Sequence, residues 1–380
     1  MEDTMITALY IHIPYCKSKC AYCDFLSFGG EDEAHQTRYI DYLCREIALA
    51  AQNYRLTPET VYIGGGTPSV LSAENLEKLL TAVRANISLP LDYEFTVEAN
   101  PESLSAAKAA LFSDYGVNRI SLGAQSMDEK FLNLLGRAHS LADIEQAVNN
   151  LRAAGINNIN LDLMYALPLQ SLSDWQNTLE KAVSLTPTHL SAYQLVIEDG
   201  TYLAKLLREG KIEAAEEDTA ADMLELTRTF LPKYGYHGYE LSNYAKDGFH
   251  SRHNCAYWLQ EDYLGLGLGA TSFIDGAFIT RPQKMGDYYR ALNENKLPGV
   301  REELKKNDLM SQFVFMGLRL DEGVSRARFQ ERFGADIAQI YPYAVAKACE
   351  SGLAELNETH FSLTKQGKFL ANEVMLEFLD

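Results

Sequence analysis

Positive charge is scarce in this chain. Its 380 residues hold 34 lysines and arginines against 52 aspartates and glutamates, a formal net charge of −18. A surface so acidic repels a nucleic-acid backbone, which argues against DNA or RNA as a main partner. Acidic substrates would have to be drawn in by a local field. Cysteine is also scarce, with six residues, too few for a disulfide scaffold. No apolar run approaches the ~20 residues that span a bilayer, so no integral membrane segment is expected. The start, Met1-Glu2-Asp3-Thr4, lacks the basic and apolar regions of a secretory signal, and a cytoplasmic location is expected. There is no internal repeat or low-complexity tract. Gly64-Gly65-Gly66 has no lysine after it, so it is not a Walker loop. Gly265-Leu266-Gly267-Leu268-Gly269 lacks the spacing and the βαβ setting of a dinucleotide fingerprint. What remains is an ordinary soluble composition, 47% hydrophobic and 23% charged. The length suits one large core plus a smaller domain.

Half of the cysteines are concentrated in one stretch. Cys16, Cys20 and Cys23 follow the strand-like run Leu9–Pro14 with Cys-x3-Cys-x2-Cys spacing. A compact thiol cluster suits a metal centre better than a core. Structural zinc takes four protein ligands, and no fourth cysteine lies nearby. An iron-sulfur cubane also normally takes four thiolates. Three would leave one iron open to a ligand, which makes the site reactive.

The first half alternates short apolar runs with longer amphipathic ones. Strands are expected at 8–13, 60–63, 93–97, 119–122, 156–164 and 189–197. Helices are expected at 36–51, 73–86 (capped by Ser72), 105–115, 128–135, 141–154 and 174–185. Six such units favour a parallel sheet. Polar residues fall at or just after the strand ends (Gly65, Glu98, Gln125, Asp162, Gln194), where a βα barrel builds its site. Residues 203–231 read as mostly helical and 234–243 as a strand. The expected division is a barrel over 1–240, a linking segment over 241–283 and a mostly helical C-terminal domain over 284–380, for which a winged-helix-like shape is compatible.

With Tyr10-Ile11-His12-Ile13-Pro14 before the cysteines, the motif resembles the radical S-adenosylmethionine (radical SAM) enzymes. Tyr-x-His-Ile-Pro-x-Cys narrows the likeness to oxygen-independent coproporphyrinogen III oxidase and the haem chaperone HemW family. The resemblance runs from Ala8 to the last domain. It implies an α/β fold built on a partial (β/α)6 TIM-like barrel. It implies a [4Fe-4S] cluster on Cys16, Cys20 and Cys23, with S-adenosylmethionine chelating the open iron. An oxygen-sensitive cluster fits a reducing cytosol.

Other motifs carry weight beside that resemblance. Glycines at 64–66 permit close backbone approach; the loop with Thr67 resembles the one that meets the amino group of S-adenosylmethionine. Glu98, in Glu-x-Asn-Pro, would be costly at an inner strand end unless paired; the pattern resembles a family segment that contributes to cofactor binding, and the alternative is an exposed acid at a loop entry. Gln125, Arg137 and Asp162 resemble nucleotide contacts, with Arg137 on the carboxylate and the other two on the ribose side. Read alone, Arg137 could be solvated and Asp162 a helix cap. Ala166-Leu167-Pro168 departs from the family's more usual Gly-Leu-Pro. Tyr10 and His12 share a strand face, and the resemblance puts both near the cluster. His253-Asn254-Cys255-Ala256-Tyr257-Trp258 reads equally, on physics alone, as a haem-contact surface or a buried aromatic cluster with one satisfied histidine. Its likeness to the His-Asn-x-x-Tyr-Trp motif of the chaperones implies haem contact by His253, Tyr257 and Trp258.

Two activities fit the resemblance. One is a carrier that binds haem and passes it to apo-haemoproteins of respiration, with peripheral contact at the inner membrane face. The other is the decarboxylation of coproporphyrinogen III to protoporphyrinogen IX. Phe25 stands where the decarboxylase usually has a further cysteine, few residues precede Tyr10, and His253–Trp258 matches the carriers. All three favour the carrier. Monomer and homodimer are equally allowed.

Overall fold

The computed structural model describes residues 5–379. Six parallel strands lie side by side in chain order: β1 (Met5–Ile13), β2 (Arg55–Gly65), β3 (Glu94–Ala99), β4 (Arg119–Gln125), β5 (Asn158–Tyr165) and β6 (His189–Gln194). Helices α1 (Glu33–Asn53), α2 (Ala73–Asn86), α3 (Ala106–Asp114), α4 (Glu129–Leu134), α5 (Leu141–Ala153) and α6 (Leu172–Ser184) fill the crossovers. Serines stop the chain from fraying where helices begin. Ser72 and Ser105 accept from the third helical N–H, and Ser140 and Ser171 form capping boxes with Asp143 and Asp174.

The strands alternate in chemistry with a period of two. Val61, Ile63, Phe95, Val97, Ile120, Leu122 and Leu161 pack beneath the helices in one core. Their neighbours Tyr62, Glu98, Arg119, Ser121, Asn160 and Asp162 line a cavity on the other face. The barrel interior is therefore polar.

The sheet runs further than the sequence reading foresaw. Among the described residues it has twelve strands. Residues 234–243 give no continuous strand; instead β7 (Asn243–Ala245) pairs antiparallel with β6, and His237–Gly238 pairs antiparallel with β7 at the edge. On the other side β8 (Tyr263–Leu266) pairs parallel with β1, and β9 (Thr271–Ile274), β10 (Ala277–Thr280) and β11 (Val300–Glu303) follow as antiparallel hairpins. The expected helical stretch 203–231 breaks at Gly210 (φ 65°) into α7 (Tyr202–Arg208) and α8 (Glu217–Phe230). The segment between β7 and β8 holds α9 (Arg252–Trp258).

The first core does not end at residue 284. Helix α10 (Met285–Asn293) places Tyr288 and Leu292 in it, against α1. The tie is polar as well as apolar. Buried Glu46 on α1 accepts from Arg281 Nε (2.8 Å), Tyr288 Oη (2.6 Å) and Gly267 N (2.8 Å). A second core begins at Met310 on α11 (Lys306–Gly317). It packs helices with a three-stranded antiparallel sheet made of Val324–Ser325, Ala354–Leu356 and His360–Leu363.

Candidate cofactor site

The cysteine loop leaves β1 and is pinned where it passes other elements. Phe28 N donates to Pro14 O, Ala21 N to Leu135 O and Leu203 N to Ala21 O. Its return is held by His12, whose Nε2 lies 3.1 Å from Leu26 O. A carbonyl only accepts, so Nε2 carries the proton and Nδ1 accepts from Tyr10 Oη at 2.9 Å. Tyr10 thus serves the site from behind, by fixing His12.

Cys16, Cys20 and Cys23 all line one cavity of about 490 Å³. Burial pushes the Cys16 and Cys23 thiols up; a bound metal would invert that preference. Among the described residues no three His, Cys, Asp or Glu side chains converge tightly enough to share one metal ion. Three thiols lining one cavity could hold three irons of an iron-sulfur cubane and leave the fourth open to a ligand.

The glycine turn after β2 crosses the end of β1. Gly66 N donates to Ile13 O and Thr67 N to Tyr15 O. A Cβ on Gly66 would lie 2.6 Å from Tyr15 O, and one on Gly65 (φ 110°) 2.3 Å from the His12 ring. Both positions therefore require glycine for close approach. Glu98 faces this turn. Its carboxylate accepts from Gly65 N (2.9 Å) and Tyr62 Oη (2.8 Å). Burial nevertheless dominates and raises its pKa to about 7.

Arg137 reaches in from the segment after α4. Nη1 lies 3.3 Å from Cys20 Sγ, and Nη2 donates to Asn100 Oδ1 (2.6 Å) and Gly123 O (2.7 Å). A guanidinium has five N–H groups, so two remain for a ligand carboxylate. Asn100 Nδ2 donates to Thr67 Oγ1 (3.1 Å), which in turn donates to Cys16 Sγ (3.6 Å). Gln125 lies on the cavity wall with φ 63°. Asp162 accepts from Ser121 Oγ (3.0 Å) and Asn160 Nδ2 (2.8 Å), and burial raises its pKa.

The structure thus brings Gly65, Gly66, Thr67, Glu98, Gln125, Arg137 and Asp162 to the wall that holds the three cysteines. Asn100 of Glu-x-Asn-Pro shares it, as do Tyr62 and Arg119, which sequence reasoning passed over. The available signal was period two: Tyr62 and Arg119 stand at inward positions of β2 and β4.

His253, Tyr257 and Trp258 lie elsewhere, on α9, which packs against β2. His253 is buried and both its ring nitrogens are engaged, Nδ1 with Thr60 Oγ1 and Nε2 with Tyr257 Oη, each at 2.8 Å. Neither nitrogen is open to an iron. Trp258 lies under the Arg319 guanidinium, 4.3 Å from the ring centroid.

Comparison with known proteins fits this geometry. Residues 10–182 match the radical SAM superfamily and 304–370 the HemN C-terminal domain. A solved structure of coproporphyrinogen III oxidase (HemN) from Escherichia coli, titled a radical SAM enzyme, superposes with a TM-score of 0.85 over 98% of this chain and 90% of that one. Sequence identity there is 22%, so the likeness is one of fold. The class is therefore radical SAM, which implies a [4Fe-4S] cluster and S-adenosylmethionine. The heme chaperone HemW of Bacillus subtilis is 35% identical over 97% of this chain and 98% of its own length. That of Lactococcus lactis is 36% identical over 97% and 96%. The chain belongs to the HemW family.

Proposed function

We propose that this protein is a haem carrier that binds haem and transfers it to apo-haemoproteins, those of the respiratory chain foremost, and that its radical SAM centre is retained for binding. Cys16, Cys20 and Cys23 would hold the cluster, and Arg137 the carboxylate of S-adenosylmethionine. Gly65, Gly66, Thr67 and Glu98 would lie toward its amino group, and Gln125 and Asp162 toward its ribose. Given an external one-electron reductant, the bound pair would be capable of cleaving the sulfonium, but in a carrier it would serve as bound; the protein supplies position and polarity.

The observation that carries the carrier reading is near full-length likeness to proteins named heme chaperones. The cavity mouth supports it. Phe25, Val196 and Tyr193 line the cavity, yet they are 65%, 62% and 38% exposed. An open apolar rim suits a flat ring that must be surrendered again. A decarboxylase must instead hold one propionate carbon against the reacting carbon, where misplacement by about 1 Å can cost ~10²-fold. Peripheral contact with a membrane at delivery belongs to the same proposal; no helix among the described residues is long and apolar enough to cross one.

A haem titration at the Soret band, beside an anaerobic assay with coproporphyrinogen III, S-adenosylmethionine and a reductant, tests the reading. Saturable haem binding, weakened about tenfold in Val196→Ser, with no tetrapyrrole product, is expected. Multiple turnovers to protoporphyrinogen IX would restore the alternative, coproporphyrinogen III oxidase.

A further inference from the structure

Helix α9 carries the His-Asn-x-x-Tyr-Trp motif, and its connections run to the cofactor cavity. Its first N–H groups, on Arg252 and His253, donate to the two carboxylate oxygens of Glu94 on β3, both at 3.0 Å. The His253 ring, 1% exposed, lies flat against Tyr62, with centroids 5.0 Å apart and planes at 23°. Thr60 and Tyr257 fix the ring by its two nitrogens. Burial, with the Arg119 charge adding to it, lowers its pKa to about 3, so the ring is neutral and makes no claim on Glu98 as a charge. Tyr62 then spends its hydroxyl on Glu98 Oε1 at 2.8 Å. The next residue, Asn254, lines the cavity itself, beside Arg119 and Ser121.

We infer that His253 is a positioning residue for the nucleotide: it sets the plane of Tyr62, Tyr62 sets the Glu98 carboxylate, and His253 does not contact haem. The inference rests on the reading that S-adenosylmethionine occupies this cavity. A haem ligand needs a free ring nitrogen and room for a macrocycle beside it. Here both nitrogens are spent and α9 is held at both ends. At its far end Leu259 O accepts from Arg328 and Gln260 O from Arg332, each at 3.1 Å. Rotating His253 outward would give up two hydrogen bonds and its stacking on Tyr62 together.

The test uses the cluster-loaded full chain and reads two affinities. Nucleotide binding is followed by perturbation of the reduced cluster's electron paramagnetic resonance signal, and haem binding by the Soret band. His253→Ala is expected to weaken the nucleotide about tenfold and to leave haem affinity within twofold. Tyr62→Phe, which removes only the hydroxyl on Glu98, should reproduce the nucleotide loss. Should His253→Ala fail to fold, His253→Gln and Tyr62→Phe carry the test.

A further readout separates positioning from general loosening. Glu98 is faced by Tyr62, Asp162 and Arg119. Tyr62 favours its ionised form, so Tyr62→Phe and His253→Ala should both move the midpoint of the pH–affinity curve upward. A fall in haem affinity with nucleotide affinity unchanged would overturn the inference, as would wild-type nucleotide affinity in both variants. Failure of the wild-type protein to bind nucleotide would instead remove the underlying reading of the cavity.

Discussion

Two of the cysteine sulfurs are joined by side chains from three separate segments. Cys16 is met by Thr67, Thr67 by Asn100, Asn100 by Arg137, and Arg137 by Cys20. Each group is fixed by the next, so the cysteine loop and the nucleotide wall are set as one unit. Glu98 is the titrating member of that wall. An unperturbed glutamate ionises at 4.5, and Glu98 in the fold at about 7. A folded pKa raised for an acid means the folded state prefers the proton. Glu98 therefore takes stability away as pH rises from 4.5 through 7, by about 3 kcal/mol at most. A ligand whose iron-bound amino group still donates N–H bonds and whose sulfonium is positive favours the ionised form. Nucleotide affinity should rise about tenfold per pH unit up to 7 and then level off. Glu98→Gln should bind weakly with no such slope, as calorimetry between pH 6 and 8.5 would show. Much of this wall was legible because the informative residues sit in short local motifs: the cysteine triad, the glycines, Glu-x-Asn-Pro. Arg119 was not, since an arginine in a strand reads as solvated. Nor was the setting of His253: Tyr257 lies one turn on in the same helix, but Thr60, which occupies the other nitrogen, stands on β2.

At the scale of elements, the turn after β2 is the least replaceable piece. Gly65→Ala adds left-handed strain and a contact that displaces the His12 ring, and with it the anchor at Leu26. The expected cost is on the order of 3 kcal/mol, with nucleotide affinity lost. Gly30 (φ 75°) has nothing within 4 Å of where its Cβ would stand; Gly30→Ala should cost only about 1 kcal/mol of strain. Urea unfolding of the two variants separates crowding from conformation. The parallel strands were legible because each combines an apolar run with a following amphipathic helix. The β8–β9 region was not. Its glycine run lacks a fingerprint's spacing and suggests no strand, whereas Gly265 is a strand residue whose Cβ would lie 2.2 Å from Thr271 O. The hairpin closes only without side chains there, and their absence erases the alternation that marks a strand.

For the whole molecule, the deciding feature is that β1 lies between β2 and β8, with α1 clamped by residues from the far side of the sheet. Arg281→Met should destabilise the protein by about 3–5 kcal/mol, because it leaves the Glu46 carboxylate buried without its cation. Arg281→Met paired with Glu46→Met should recover much of that loss. A fragment of residues 1–240 contains every expected βα unit but lacks β8, Arg281 and Tyr288. It should be protease-sensitive and prone to associate through the open β1 edge, while a fragment reaching residue 303 should resist protease. The chain looks domain-like to residue 240, but its first helix is completed by residues more than 220 positions later, and α10 beyond residue 284 packs into the same core.

The Glu46 clamp also sets an order of events at the ribosome. The cysteine loop is made within the first two dozen residues, but the strand that presents it keeps a bare edge until Tyr263–Leu266 has emerged. Helix α1 keeps an unmatched buried charge until Arg281 has followed. Stable cluster insertion is therefore expected only once Arg281 has emerged and the β1 edge is covered, which pulsed cluster loading of stalled chains ending before and after residue 303 would test.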